Sequence, residues 1–346
     1  MRFDKYEWIA ISIMVFLFIL VGFIQGWSVS LVILNMCIIS AIMTMGVNIS
    51  WGYAGVINFG VMGFLAMGGL AAVLVSYPPV KEAWHVGGSG LGISFVLLIA
   101  LVTTVYFITK LVEKKSHQYW LNGLVIFFGL IIIRYFFLNA TDRIEEVDPA
   151  LAGFLGGANL PIIFSWVVGG FFAGGVAFVI GKVALGLRSD YLAIVTLGIS
   201  EIVVSVLKHE EWLSRGVKNV IGLKRPVPYE INLQVSDWFI TMVTWFNSSK
   251  LNQIIDPDQK QQILNNLIID SSSLFVKLNY AILFFTVMIV IYYFANKAQI
   301  SPWGRMMRAI RDNETSANAM GKDIVKQHLI IFVIGAAIVG VAGAML

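Results

Sequence analysis

The sequence predicts an all-α, polytopic membrane protein with about nine transmembrane helices. Three observations predict it. Hydrophobic residues make up 58% of the chain and charged residues only 13%, about half the charged share of a soluble domain. The apolar residues gather into runs of about 18–23, long enough to cross a hydrocarbon core as helices. Lysine and arginine recur at alternate ends of those runs, as the positive-inside rule requires.

The runs fall at 8–25, 29–48, 54–76, 91–112, 119–139, 162–185, 190–207, 278–297 and 328–346. The first follows MRFDKYE, which carries both charge signs, and no small-x-small cleavage site comes after it. It therefore reads as a retained helix rather than a signal peptide. The second holds Cys37, the one cysteine, so no internal disulfide can form and the thiol reads as buried packing. The third is rich in glycine and the seventh is short, so either could be re-entrant or broken. The fifth carries Arg134 within snorkelling reach of its outer end. In the sixth, Gly170 and Gly174 form a GxxxG, and Ala173, Ala177 and Gly181 form a second row. Ala336, Gly340 and Ala344 repeat that spacing in the last. Such rows let helices approach closely in lipid, within one subunit or between two.

Orientation follows from the loops. With the N-terminus inside, inside segments hold Arg2 and Lys5, Lys114 and Lys115, Arg188, and then Arg305, Arg308, Arg311, Lys322 and Lys326. The outside loops at 77–90 and 140–161 hold one basic residue each, Lys81 and Arg143, and the second also carries Asp142, Glu145, Glu146 and Asp148. The net charge of +4 is thereby accounted for at the membrane and gives no ground for a nucleic-acid partner. Residues 208–277 form a large polar insertion that falls outside, either a spacer or a docking surface for an external partner. Within it, Lys218 to Tyr229 reads as loop, and Asp256-Pro257-Asp258 opens a short capped helix. His85, His117, His209 and His328 are scattered and make no metal spacing, and no cofactor motif is present.

Two stretches carry functional signal. Asn48 to Gly60, NISWGYAGVINFG, sets glycine and asparagine between two apolar runs. Non-helical backbone at membrane depth is tolerated only where it is buried in protein or lines a cavity, and transporters use such breaks to meet a solute. The plainer reading is a tight turn. Gly52, Tyr53, Gly55, Asn58 and Gly60 are candidate solute-pathway residues, with Thr196 and Glu201 from the run at 190–207. Glu201 is the one acidic residue well inside an apolar run; it belongs either to the pathway or to the outer interface.

The second stretch is the polar loop 298–327. Ser301 and Pro302 make a helix start, a side-chain acceptor followed by a residue with no N–H to satisfy. Trp303, Met306, Met307 and Ile310 form one apolar stripe, with Arg305, Arg308 and Arg311 on the other side. An amphipathic helix in an inside loop serves either the lipid surface or a protein partner, for which the stripe would fill a groove.

GYAGVINFG, then LRSDYLAIVTLGISEIV, then SPWGRMMRAIRDNETSANAMGKDIVKQHL with GAAIVGVAGAML resemble, in order, three landmarks of one family. It is the M-type membrane permease of bacterial branched-chain amino acid ABC importers. The resemblance implies the ABC importer permease fold and a place in the bacterial inner membrane. It implies a sister permease subunit, two ATP-binding subunits and a periplasmic solute-binding protein as partners. The third landmark resembles the loop that docks on the ATPase. Ala317 and Gly321 match the Ala and Gly of EAA-x-x-x-G, Glu314 stands beside it, and Thr315 and Ser316 replace the Glu and Ala. The coupling set is then Arg305, Arg308, Arg311, Glu314, Ala317 and Gly321. The family continues with further spans, so this chain is expected to be C-terminally short. The run at 119–139 and the insertion at 208–277 lie outside the family core.

No G-x-x-x-x-G-K-[ST] occurs, so ATP hydrolysis is assigned to a separate subunit. A closely similar permease type serves urea and short amides. A stand-alone secondary transporter would call for paired ionisable residues at mid-membrane, and an intramembrane enzyme for a catalytic pair; the runs contain neither.

Overall fold

The computed structural model describes residues 5–112, 115–148, 153–186, 189–253 and 256–346. Arg2, Lys114 and Arg188, all used to orient the chain, lie outside the described residues. Among the described residues every regular element is a helix, with no strand. In chain order the elements are α1 (Lys5–Gln25), α2 (Trp27–Asn48), a π-helical turn (Ile49–Tyr53), α3 (Val61–Ser76), α4 (Lys81–Leu111), α5 (Lys115–Glu145), α6 (Ile162–Ala184) and α7 (Ser189–His209). They continue with α8 (Glu211–Ser214), α9 (Glu230–Val235), α10 (Asp237–Phe246), α11 (Ser248–Leu251), α12 (Pro257–Ile300), α13 (Pro302–Asp312), α14 (Glu314–Ala319) and α15 (Ile324–Met345). Among the described residues eight helices are long and apolar enough to cross a membrane, and α3 is a shorter apolar helix. The chain is a multi-pass membrane protein.

Two compact units divide the chain. The larger comprises Met1–Ala71, Ile162–Ser200 and Lys224–Leu346. Its central helix is α15, whose small residues meet neighbours on several sides. Gly335 faces Gly46 of α2, and a Cβ added to either would stand 2.6–2.7 Å from the other's carbonyl oxygen. On another side Gly340 lies against Gly169 and Ala173 of α6, and Gly343 lies against Leu65 of α3. Ala173, Ala177, Ala336 and Ala342 are fully buried, and Phe64 and Phe332 stack edge to face among them. The predicted small-residue rows thus serve packing within the chain. In lipid, where apolar association has no hydrophobic drive, such close backbone approach supplies the contact.

The smaller unit comprises Ala72–Pro161 and Glu201–Leu223. Its α4 and α5 form a hairpin of two 31-residue helices. Helix α4 begins ten residues before the predicted run. The stretch HVGGSGLG is helix rather than loop, and two of its four glycines face α5: a Cβ at Gly90 would stand 2.8 Å from that of Ala140, and one at Gly87 would strike Ile144. Arg134 is exposed on α5.

Three further expectations change. The run at 54–76 is helical only from Val61, so α3 has 16 residues. The capped helix at Asp256 and the run at 278–297 are one helix of 44 residues. Asp256 caps it, its Oδ1 accepting from the Asp258 N–H at 3.2 Å. Nothing between 258 and 300 breaks it, since proline and glycine are absent there. At ~1.5 Å per residue it is far longer than a hydrocarbon core. Its first half carries a small cluster with α9 and α10, built on Val227, Leu233, Phe239, Val243, Ile268 and Val276. Cys37, expected to be buried, is exposed on α2.

Candidate functional site

Helix α13 begins as its sequence dictates. The Ser301 Oγ accepts from the Gly304 N–H at 3.3 Å, and Pro302 occupies the first turn. The apolar stripe is present, but it turns inward. Met307 and Ile310 are 0% exposed, and they share a core with Ile49, Ala54, Val56 and Ile331. Trp303 is half-buried, and its Nε1–H donates to Gln327 Oε1 at 3.0 Å. The stripe therefore fills the chain's own core and cannot fill a partner's groove. What α13 presents outward is its arginine face.

The three arginines do different things. Arg305 Nη1 donates to the Ile300 carbonyl at 2.9 Å, and Arg308 Nη2 to that of Gln299 at 3.4 Å. Both cap the C-terminal carbonyls of α12, where cations are favoured. Arg311 reaches elsewhere, donating from Nη1 to the Gly52 carbonyl at 2.7 Å. Its Nε and Nη2 both hold Asp312 Oδ1, at 3.1 and 3.0 Å.

Helix α14 follows at once. The Asn313 Oδ1 caps it from the Ser316 N–H at 2.9 Å, and Glu314 is exposed in its first turn. Ala317 is half-buried. The helix ends in a Schellman motif: the Lys322 N–H bonds the Ala317 carbonyl at 3.3 Å and the Gly321 N–H that of Asn318 at 2.9 Å. Gly321 has φ +74°, which an L side chain adopts only with strain, yet open space surrounds its Cα. Asp323 then caps α15, accepting from the Lys326 N–H at 3.0 Å.

The glycine–asparagine stretch breaks where expected. Helix α2 runs on into the π-helical turn, the chain leaves helix at Gly55 (φ +72°), and α3 starts at Val61. Such turns often mark functional sites. A Cβ at Gly52 would meet the Asn48 side-chain amide, which would have to turn aside. Three backbone donors around the break are satisfied by side chains. Phe59 N–H donates to Thr196 Oγ1 at 3.2 Å, Gly60 N–H to Asn58 Oδ1 at 2.9 Å, and Gly63 N–H to Ser200 Oγ at 2.7 Å. Thr196 is 1% exposed and Asn58 5%. Asn58, Gly60 and Thr196 thus form one cluster, to which Ser200 is joined through Gly63, while Gly55 faces Arg311 instead and Glu201 is exposed on α7. Tyr53 lines an apolar cavity of about 440 Å³ with Gln299, Trp303, Met307 and Ile331. Ser200 escaped the sequence reading because a serine in an apolar run is ordinary; only its spacing of four from Thr196 put both on one helical face.

A family model described as "Branched-chain amino acid transport system / permease component" matches residues 29–346. The chain belongs to that family. The chain is 27% identical over 180 residues to the high-affinity branched-chain amino acid transport system permease protein LivM of Escherichia coli (strain K12). That match takes in 51% of this chain and 38% of the relative. The protein of the same name from Salmonella typhimurium is 27% identical over 178 residues, 51% of this chain and 37% of the relative. The aligned region spans less than two fifths of these relatives' own length. No solved structure matches the chain.

Proposed function

We propose that this chain is the membrane-spanning permease subunit of an ABC importer for branched-chain amino acids. The observation that carries this reading is the family match along 29–346, which takes in both the broken segment and the 298–327 loop. On this reading the partners are a sister permease subunit, two ATP-binding subunits and a periplasmic solute-binding protein. The site is the bacterial inner membrane with the N-terminus cytoplasmic, and 208–277 lies on the external face.

The exposed surface of α13 and α14 would meet the ATPase, with Arg305, Arg308 and Glu314 at the contact. Ala317 and Gly321 would shape the turn that positions it. Movement of this rigid piece would bias the helices between inward- and outward-facing states. Solute would pass beside Gly52, Tyr53, Gly55, Asn58, Gly60 and Thr196, with Glu201 toward the outer end of α7. The Phe59 and Gly60 donors are already held by Thr196 and Asn58, and Tyr53 opens on an apolar cavity, so a solute would meet largely apolar surface there. That suits an aliphatic side chain.

The test is co-purification from the native membrane followed by mass spectrometry. A P-loop ATPase and a second permease are expected to come down with the chain. Recovery of the chain alone or as a homo-oligomer would refute the importer reading. Uptake of labelled leucine against labelled urea by the recovered complex then decides the solute.

A further inference from the structure

We propose that Arg311 is the positioning residue that ties the coupling segment to the broken segment, so that movement of α13 is felt at the π-helical turn. This deepens the proposed function and rests on it for its transport consequence.

Three observations carry it. Arg311 is the one arginine of the three on α13 that leaves its own neighbourhood, bonding a backbone carbonyl 259 residues away in sequence. That bond is charge-assisted, and the same guanidinium is held on its other edge by Asp312, so its direction is set from two sides. The path it takes is built for it. Its stem crosses Gly55, where a Cβ would stand 3.1 Å from Arg311 Cγ. Gly55 thus serves two needs at once, a left-handed φ and passage for the arginine.

The far side of the tie is continuous. From Gly52 the chain runs through Gly55 to Phe59 and Gly60, and Thr196 and Ser200 hold that segment and the start of α3 to α7. The near side is rigid, because Met307 and Ile310 lock α13 into the core that contains Ile49, Ala54 and Val56. Side-chain packing resists displacement in any direction, but only the Arg311 bond fixes the carbonyl of the π-helical turn to α13. Lysine would keep the charge without the fork that engages Gly52 and Asp312 together.

The experiment compares the parent chain with Arg311→Ala and Arg311→Lys, with Asp312→Ala as a milder variant that frees the guanidinium. Hydrogen exchange of the 49–60 amides in nanodiscs reads the tie directly. ATP hydrolysed per solute imported, in the reconstituted complex, reads its consequence. Arg311→Ala is expected to speed exchange across 49–60 about tenfold and to raise ATP per solute at least severalfold, with the ATPase still co-purifying. Arg311→Lys and Asp312→Ala should fall between. Unchanged exchange in Arg311→Ala would overturn the tie. Faster exchange with unchanged ATP per solute would overturn its role in coupling, and loss of the ATPase would make Arg311 a docking residue instead. If the parent chain recruits no ATPase, the importer reading fails, while the exchange arm still decides whether Arg311 holds the turn.

Discussion

Gly46 and Gly335 set how closely α2 and α15 can cross, and replacing either by alanine should loosen the bundle. A Cβ at Gly46 would stand 2.6 Å from the Gly335 carbonyl, and one at Gly335 would stand 2.7 Å from the Gly46 carbonyl. Ordinary contact begins at 3.4 Å, so the helices must part by 3.4 − 2.6 = 0.8 Å or 3.4 − 2.7 = 0.7 Å. The opposing atom is backbone and cannot swing aside. Overpacking of this kind costs ~1–3 kcal/mol. Gly174→Ala is the reference, because its new Cβ would sit at 3.6 Å from both Ala337 and Val333, ordinary contact. All three variants share the same gain in helix propensity, so their differences isolate the steric part. In reversible SDS unfolding from mixed micelles, Gly46→Ala and Gly335→Ala should each fall about 1–3 kcal/mol below Gly174→Ala. The double variant should cost less than the sum, since one separation of the helices relieves both clashes. Equal stability of Gly46→Ala and Gly174→Ala would refute the close crossing, and strict additivity would refute the shared cause.

Other outcomes follow from single contacts. Gly321→Ala should weaken the α14 terminus by ~1 kcal/mol through backbone strain alone, and Gly321→Asn by less, because asparagine tolerates the left-handed region; protease sensitivity of 314–323 reads this. On the importer reading, uptake should fall in the same order. Thr196→Val should cost ~1 kcal/mol by leaving the part-buried Phe59 N–H without its acceptor, whereas Thr196→Ser keeps it; thermal melts of the two in one detergent would show the difference. Trp303→Phe should cost ~1 kcal/mol through loss of the bond to Gln327, and a Trp303→Phe/Gln327→Leu pair should cost less than the two changes added.

Helix α13 shows which parts of the site could be read in advance. Its start at Ser301 and its stripe are local facts, because capping and the 3.6-residue period need only neighbours in sequence. The direction of the stripe is not local. Met307 and Ile310 would suit a partner's groove or their own core equally well by composition, and only the packing around Ile49 and Ile331 decides. The glycines teach the same point. Residues 77–90 read as an outside loop until α5 lies beside them, and then Gly87 and Gly90 become the places where the hairpin closes. Asp256 to Ile300 went the other way, since no signal in the sequence marks a boundary there and the helix simply continues.

Hydropathy alone determined that this chain is helical and membrane-spanning, because lipid leaves backbone groups no partner but their own helix. Motif order alone placed it among the branched-chain permeases. What the tertiary structure decided is which small residues touch, which way α13 faces, and that Arg311 of α13 bonds Gly52 of the broken segment. Those are relations between residues far apart in the chain, set by close approach of helices, and no local pattern encodes a distance across 259 residues.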